Sequence, residues 1–336
     1  MNQPESPSNA IRWSTLYGTL YYFLGKTLVD TFGPEGEQAL RQAIRDFGAY
    51  RAKYNRARHE ALGLPVNLLT LHGYGDMPGD SLSSRDRIIT HSYLRSTITR
   101  CTLHDTWKEL GENIGRIYCE EVHHPLYCGY DPRVELEMPD YLTKGDDICT
   151  FIMTFDNAEE PMDIQIPDKE RGAGRSLESA MVRLLGIMYE YLANAMLNHF
   201  GEKGLLALNQ ALRDYATHRG QKLRADHVER GIEITPTALI ENGDVPHGDS
   251  MEMTHAWETP TKCTVTITRN ELFEAFQEIE GDQTPIGHRY MAQVPSYLWR
   301  AYRGVGDVRI RKSHTLGDPV TVIEIDINRT THAPNR

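Results

Sequence analysis

The sequence predicts an α+β protein built as two tandem homologous domains, each with a helix pair, an antiparallel sheet and a further helix packed on it. Three observations lead there. The stretch from Ile114 to Met153 recurs without a gap from Ile286, at an offset of 172, with Thr143, Gly145 and Asp146 matched by Thr315, Gly317 and Asp318. An apolar helical pattern ending in Phe-Gly also occurs twice, at Phe32-Gly33 and at Phe200-Gly201, at an offset of 168. In each half the helices and strands come in runs, which favours an antiparallel sheet over alternating βαβ units. Two copies are too few for a solenoid, so the repeat reads as a duplicated domain.

The first repeat spans residues 11–156, a linker rich in Pro, Gly and charge spans 157–175, and the second repeat spans 176–328. Met1–Ala10 reads as a disordered arm and Arg329–Arg336 as a tail. The 336 residues accommodate two such domains, each long enough to bury its own core.

The first helix carries Trp13, Leu16, Leu20, Phe23, Leu24 and Leu28 at helical spacing. Phe32-Gly33-Pro34 ends it, with Gly as cap and Pro opening the next helix. Leu40, Ile44 and Phe47 mark the buried face of that second helix. Ser176–His199 and the helix after Gly201 repeat the pair, with Arg45-Asp46 matched by Arg213-Asp214. A turn-rich segment from Gly75 to Ser81 echoes Gly243 to Ser250. Its Asp76 and Asp80 suit a cation, although turn chemistry alone accounts for these residue types. Strands follow at Thr90–Tyr93 and Arg100–Thr102, paired with Thr254–Trp257 and Lys262–Thr264. A helix over His104–His123, matched by Arg269–Leu298, leads to two closing strands. These are Arg133–Leu142 and Ile148–Thr154, then Val305–Ser313 and Val320–Asp326, with Gly-Asp at each hairpin turn.

Composition narrows the function. Hydrophobic content of 40% and charged content of 25% are those of an ordinary globular protein. A net charge of −11 argues against nucleic acid and against an anionic membrane surface as partners. The polar, acidic start lacks the pattern of an export signal, and Leu16–Leu24 is too short to span a bilayer. Five cysteines, an odd number, point to reduced thiols and a cytoplasmic setting. No phosphate-binding glycine motif, nucleophile-elbow serine or H-E-x-x-H motif is present, so no cofactor is expected. The expected partner is a small-molecule substrate, and a homo-oligomer stays open.

Cys119 and His123 stand four apart on the predicted helix and share a face. A thiol beside an imidazole is the unit of an activated cysteine nucleophile. Pro125 is expected to end or kink the helix there, which places Cys119 near the negative end of the helix dipole. That disfavours a thiolate and favours a protonated His123. The plainer reading makes Cys119 a small buried residue, since Met291 replaces it in the second copy and Pro295 replaces His123. No metal is expected, but a bound zinc would draw on Cys101, His104 and His123. Against it, no C-x-x-C pair exists and neither His104 nor His123 recurs. His91, paired with His255, and Asp146, paired with Asp318, are candidate polar pocket groups. A satisfied strand histidine and a hairpin aspartate explain them equally well.

A set of short motifs runs in order through the first half: Phe32-Gly33 with Gly36, Arg100-Cys101 with Trp107 and Glu109-Leu110-Gly111, and Tyr118-Cys119. Gly129-Tyr130 with Pro132, and Gly145-Asp146-Asp147 with Cys149, complete it. In these motifs the chain resembles the L-2-amino-thiazoline-4-carboxylic acid hydrolase family. The resemblance covers most of residues 15–155, with a fainter version over 180–327. The family is itself similar to the 4-vinyl reductase domain, which implies helices on an antiparallel sheet with a pocket between them. The resemblance implies hydrolytic opening of a small sulfur- and nitrogen-containing ring to a carbamyl thioether. The chain departs from the family in its second half and in His123, where the family carries an acidic residue.

The resulting expectation is a hydrolase acting on a small heterocycle or amidine-like C–N bond. Cys119 serves as nucleophile or pocket acid, His123 as base, and Asp146 and His91 as polar pocket groups. The second half completes the pocket as a degenerate partner. The rivals are a non-catalytic protein that holds or senses a small ligand in the same pocket, and a metal-dependent hydrolase.

Overall fold

Helix α1 (Asn9–Ala61) opens on Ser8, whose hydroxyl accepts from the Ile11 amide at 3.3 Å. Its 53 residues are two helical segments joined at Gly33, where φ is 58°. That left-handed conformation is open to glycine at little cost, and Pro34 restarts the helix as its sequence position predicts. Leu20, Leu24 and Leu28 before the break, and Leu40, Ile44 and Phe47 after it, are fully buried.

The computed structural model describes residues 8–77, 82–111, 114–162, 176–281 and 284–328. Asp80, residues 1–7 of the expected arm, residues 163–175 of the expected linker and the 329–336 tail lie outside them. After α1 come α2 (Leu68–Gly73), β1 (Leu82–Ile89), β2 (Tyr93–Cys101), α3 (Thr102–Leu110), α4 (Gly115–Tyr130), β3 (Val134–Glu137) and β4 (Cys149–Phe155). The strands form one antiparallel sheet in the order β1-β2-β4-β3. The second half repeats the series. It runs α5 (Leu177–Glu229), broken at Gly201 with φ 54°, then α6 (Pro236–Asn242), β5 (Met251–Thr259), β6 (Lys262–Asn270), α7 (Glu271–Glu280), α8 (Pro285–Arg303), β7 (Asp307–Lys312) and β8 (Thr321–Asp326). Its antiparallel sheet has the order β5-β6-β8-β7.

The chain forms two compact units, Met1–Ala195 and Met196–Arg336. The division lies inside α5, later than the expected linker, because the start of α5 packs with α1. Arg183 donates to the Tyr50 hydroxyl at 2.8 Å and lies 3.5 Å over the Tyr54 ring, while Tyr191 meets Phe47. Among the described residues no helix is long and apolar enough to cross a membrane.

Three sequence expectations need correction. The helix expected over His104–His123 is two helices, because Gly111 at φ 92° closes α3 before α4 begins. Pro125 does not end α4, which continues to Tyr130. The turn that contains it is held against α1 at Gly48, where a Cβ would stand 2.7 Å from the Val122 carbonyl and 3.2 Å from the Pro125 ring. Finally, Cys101 and Cys263 are not equivalent. Ile98 pairs with Cys149 across the first sheet and Ile267 with Thr321 across the second, so Cys101 corresponds to Asn270. Cys263 sits at the far end of its strand, opposite Ile325.

One contact occurs in each unit, at the start of α4 and of α8. A Cβ on Gly115 would fall 1.9 Å from the Trp107 ring, and one on Gly287 would fall 2.5 Å from the Phe276 ring. Gly115→Ala is therefore expected to destabilise the first unit by about 1–3 kcal/mol, the range for overpacking a filled core. Chemical denaturation followed by tryptophan fluorescence measures it.

Candidate functional site

The site is a cavity of about 250 Å³ in the first unit, between α1, α3, α4 and one face of the sheet. Strand alternation supplies one wall: Leu94, Ser96 and Ile98 from β2, with Cys149 and Phe151 opposite them on β4. Helix α4 supplies another through Tyr118, Cys119, Val122, His123, Leu126 and Tyr127, which follow helical spacing along one face. The described lining residues fall between 51 and 151, within the first unit.

The wall is fixed by an aromatic frame. Trp107 donates its indole N–H to the Gly18 carbonyl at 2.9 Å. The hydroxyls of Tyr17 and Tyr118 share a hydrogen bond at 2.7 Å, and their rings meet edge to face. Below it lies an ion pair. Arg51 Nε and Nη2 donate to the two carboxylate oxygens of Asp76 at 2.9 and 2.8 Å, with Arg51 3% and Asp76 4% exposed. Burial alone would raise the Asp76 pKa, but the Arg51 charge and the amide of Asn55 more than offset it and hold the carboxyl ionised. The pair ties α1 to the segment after α2. It recurs in the second unit as Arg219 and Asp244 at 2.7 and 2.8 Å. Asn55 does not recur; Leu223 stands at the matching place, 168 residues on.

Cys119 is the fifth residue of α4, near its N-terminus and not in its last turns. The helix dipole there favours a thiolate, yet burial, with the neighbouring Cys101 thiol adding to it, holds its pKa far above the ordinary value. Burial also pushes Cys101 up to about 11 and raises Cys149, whose sulfur accepts from the Leu142 amide. His123 does not bond the Cys119 thiol. Its Nδ1–H donates to the Cys119 carbonyl at 2.8 Å, which fixes the tautomer and leaves Nε2 with a lone pair. Its ring lies parallel to Tyr127 and edge-on to Phe151. Burial lowers its pKa to about 4, so it is neutral near pH 7, the opposite of the protonated state expected from a helix end. His72, stacked on Tyr127, is lowered to about 4 by burial and by Arg87.

The other sequence candidates lie elsewhere. His91 is in the turn between β1 and β2, 3.8 Å from Glu160, and does not line the cavity. It is not the counterpart of His255, which sits within β5 opposite Val265. Asp146 accepts from the Tyr141 amide at 2.8 Å and stays in the hairpin turn. Of the conditional metal ligands, Cys101 and His123 line the cavity and His104 does not. Among the described residues no cluster of three or more His, Cys, Asp or Glu is placed to hold a metal. All five cysteines are free thiols. Arg51, His72 and Arg87 line the cavity without having been singled out in the sequence. Only Arg51 left a signal there, through its recurrence as Arg219 at the offset of 168.

Residues 14–153 match the family model of L-2-amino-thiazoline-4-carboxylic acid hydrolase. The matched segment contains every described lining residue of the cavity and stops short of the second unit. No curated protein and no solved structure matched the chain.

Two outcomes follow from the electrostatics. Asp76→Asn leaves the buried Arg51 charge unpaired and is expected to cost about 3–5 kcal/mol, whereas the joint replacement Arg51→Met with Asp76→Leu costs much less. Urea denaturation of the three proteins checks this. His123 is held neutral in the fold, so its contribution to stability is full above the unfolded value of about 6.5. That contribution is lost as pH falls towards about 4. His123→Gln should therefore flatten the fall in stability over that window, read from denaturation midpoints at successive pH values.

Proposed function

We propose that the first unit is a hydrolase of small heterocyclic amidines of the 2-amino-thiazoline-4-carboxylate type, with water and not the Cys119 sulfur as nucleophile. The observation that carries this is the state of the two central groups: a thiol held protonated beside an imidazole held neutral with Nε2 free of its tautomer-fixing bond. The enclosed volume suits a ligand smaller than most drugs. The hydrolase family of the segment supplies the reaction class.

In this reading water adds to the amidine carbon and passes a proton to His123 Nε2. The imidazolium returns that proton to the ring nitrogen; Nε2 then takes the hydroxyl proton of the adduct and passes it to the same nitrogen as the ring C–N bond breaks, so the nitrogen leaves as a primary amine. The sulfur keeps its bond to the former amidine carbon, which becomes the carbonyl of a carbamyl thioether, so one water is consumed. An imidazole of pKa about 4 is a weak base, but its conjugate acid gives its proton readily to the leaving amine. Cys119 acts as a pocket acid, donating from its S–H.

A second reading has its own support. None of the three cavity thiols is ionised, and both cavity imidazoles are weakly basic, which suits a protein that holds a small ligand without turning it over. Incubation with 2-amino-thiazoline-4-carboxylate, followed by mass spectrometry for the product that has gained one water, separates the two. Under the hydrolase reading, His123→Phe lowers kcat by about a hundredfold and Cys119→Ala by about tenfold or less. Abolition of turnover by Cys119→Ala with His123→Phe unaffected would sink the water mechanism. Tight binding without turnover in the wild-type protein would favour the binding reading.

A further inference from the structure

We propose that Arg87 seats an anionic group, a carboxylate, of the ligand at the mouth of the cavity. The inference rests on the reading of the cavity as a small-ligand site and adds the charge and the anchoring residue.

The first observation is a β-bulge. Strand β1 pairs Arg85 with Thr97 and Ile88 with Arg95, so two residues, Asp86 and Arg87, stand against one residue of β2. Asp86 takes φ 51° there, a conformation that non-glycine residues adopt rarely. Bulges bend a strand and re-aim a side chain, and they gather next to functional sites. Here the extra residue brings Arg87 to the cavity wall.

The second unit shows that the fold does not need this device. At the corresponding place β5 runs in even register, Thr254 with Thr266, His255 with Val265 and Ala256 with Thr264. The single residue His255 stands where the first unit has Asp86 and Arg87. The Arg51–Asp76 pair, by contrast, is kept in both units, which marks it as framework.

The third observation is charge. The ionisable lining comprises Arg51, Asp76, Arg87, His72, His123, Tyr118 and Tyr127 with three thiols. Arg51 and Asp76 neutralise each other through two hydrogen bonds. The thiols, the phenols and both imidazoles are neutral near pH 7. Among the described residues, Arg87 therefore carries the one uncompensated charge of the lining, and it has no ion pair there. A guanidinium offers paired donors that match a carboxylate.

The test is calorimetric titration of the full-length protein with 2-amino-thiazoline-4-carboxylate and with its neutral 4-carboxamide. The wild-type protein is expected to prefer the carboxylate by about tenfold, the worth of one charged hydrogen-bonded contact. Arg87→Gln should bring the two affinities together, mainly by weakening the carboxylate, and Arg87→Lys should restore part of the preference. Arg87 is exposed, so these variants keep the fold. If Arg87→Gln keeps the full preference, Arg87 is not the anchor. Equal wild-type affinity for both compounds overturns the anionic subsite and leaves the proposed cavity reading standing. Failure of the wild-type protein to bind either compound overturns both.

Discussion

The buried pair of Arg51 and Asp76 is the constraint on which the first unit depends. Two charges taken out of water are held only because each satisfies the other in bidentate geometry. Arg51 is on the second segment of α1 and Asp76 follows α2, so the pair joins the long helix to the segment that leads into the sheet. A second link stands about two turns further along. His59 Nε2–H donates to the Tyr74 carbonyl, and its Nδ1 accepts from the Tyr130 hydroxyl at the end of α4. The same arrangement occurs in the second unit, where His227 joins Asn242 and Tyr302. These contacts define a frame that both halves keep, while the residues set on the frame differ.

That difference is where chemistry enters. In the first unit α4 presents Cys119 and His123; the matching places in α8 are Met291 and Pro295. Met291 is buried, so an apolar side chain without a titratable group fills the matching place in the second unit. Burial also decides the behaviour of Cys119 itself. A position near a helix N-terminus would lower a thiol pKa, but the apolar wall and the neighbouring thiols raise it by more. Desolvation outweighs the dipole here because the dipole's effect at a terminus is modest.

Much of the architecture was legible in the sequence. The Phe-Gly breaks gave the long bent helices, and Gly145-Asp146 marked its turn correctly. The helix pair and the antiparallel sheets followed from the order of the patterns. What was missed was non-local. Arg51 lies on a helical stretch with no local oddity, and its partner is 25 residues away in the chain. Pro125 was read by local rules as a break, whereas packing at Gly48 holds it inside a helix. The equivalence of Cys101 and Cys263 was read from residue identity, and the strand pairing moves it by seven residues to Asn270. The β1 bulge leaves no mark in the sequence because Asp-Arg is unremarkable on a strand; only the register exposes it. At the site, the spacing of Cys119 and His123 puts both on one helix face, and both line the cavity, but it could not show that the imidazole bonds a carbonyl instead of the thiol.

The cavity also bears on how the first unit resists unfolding. Side chains around a space of about 250 Å³ lack the dispersion contacts that a filled core supplies, and cavities weaken a fold in proportion to their size. A molecule that fills the space restores those contacts in the native state alone. Occupancy and folding are then one linked equilibrium, and the melting point of the first unit becomes a gauge of how much ligand surrounds it.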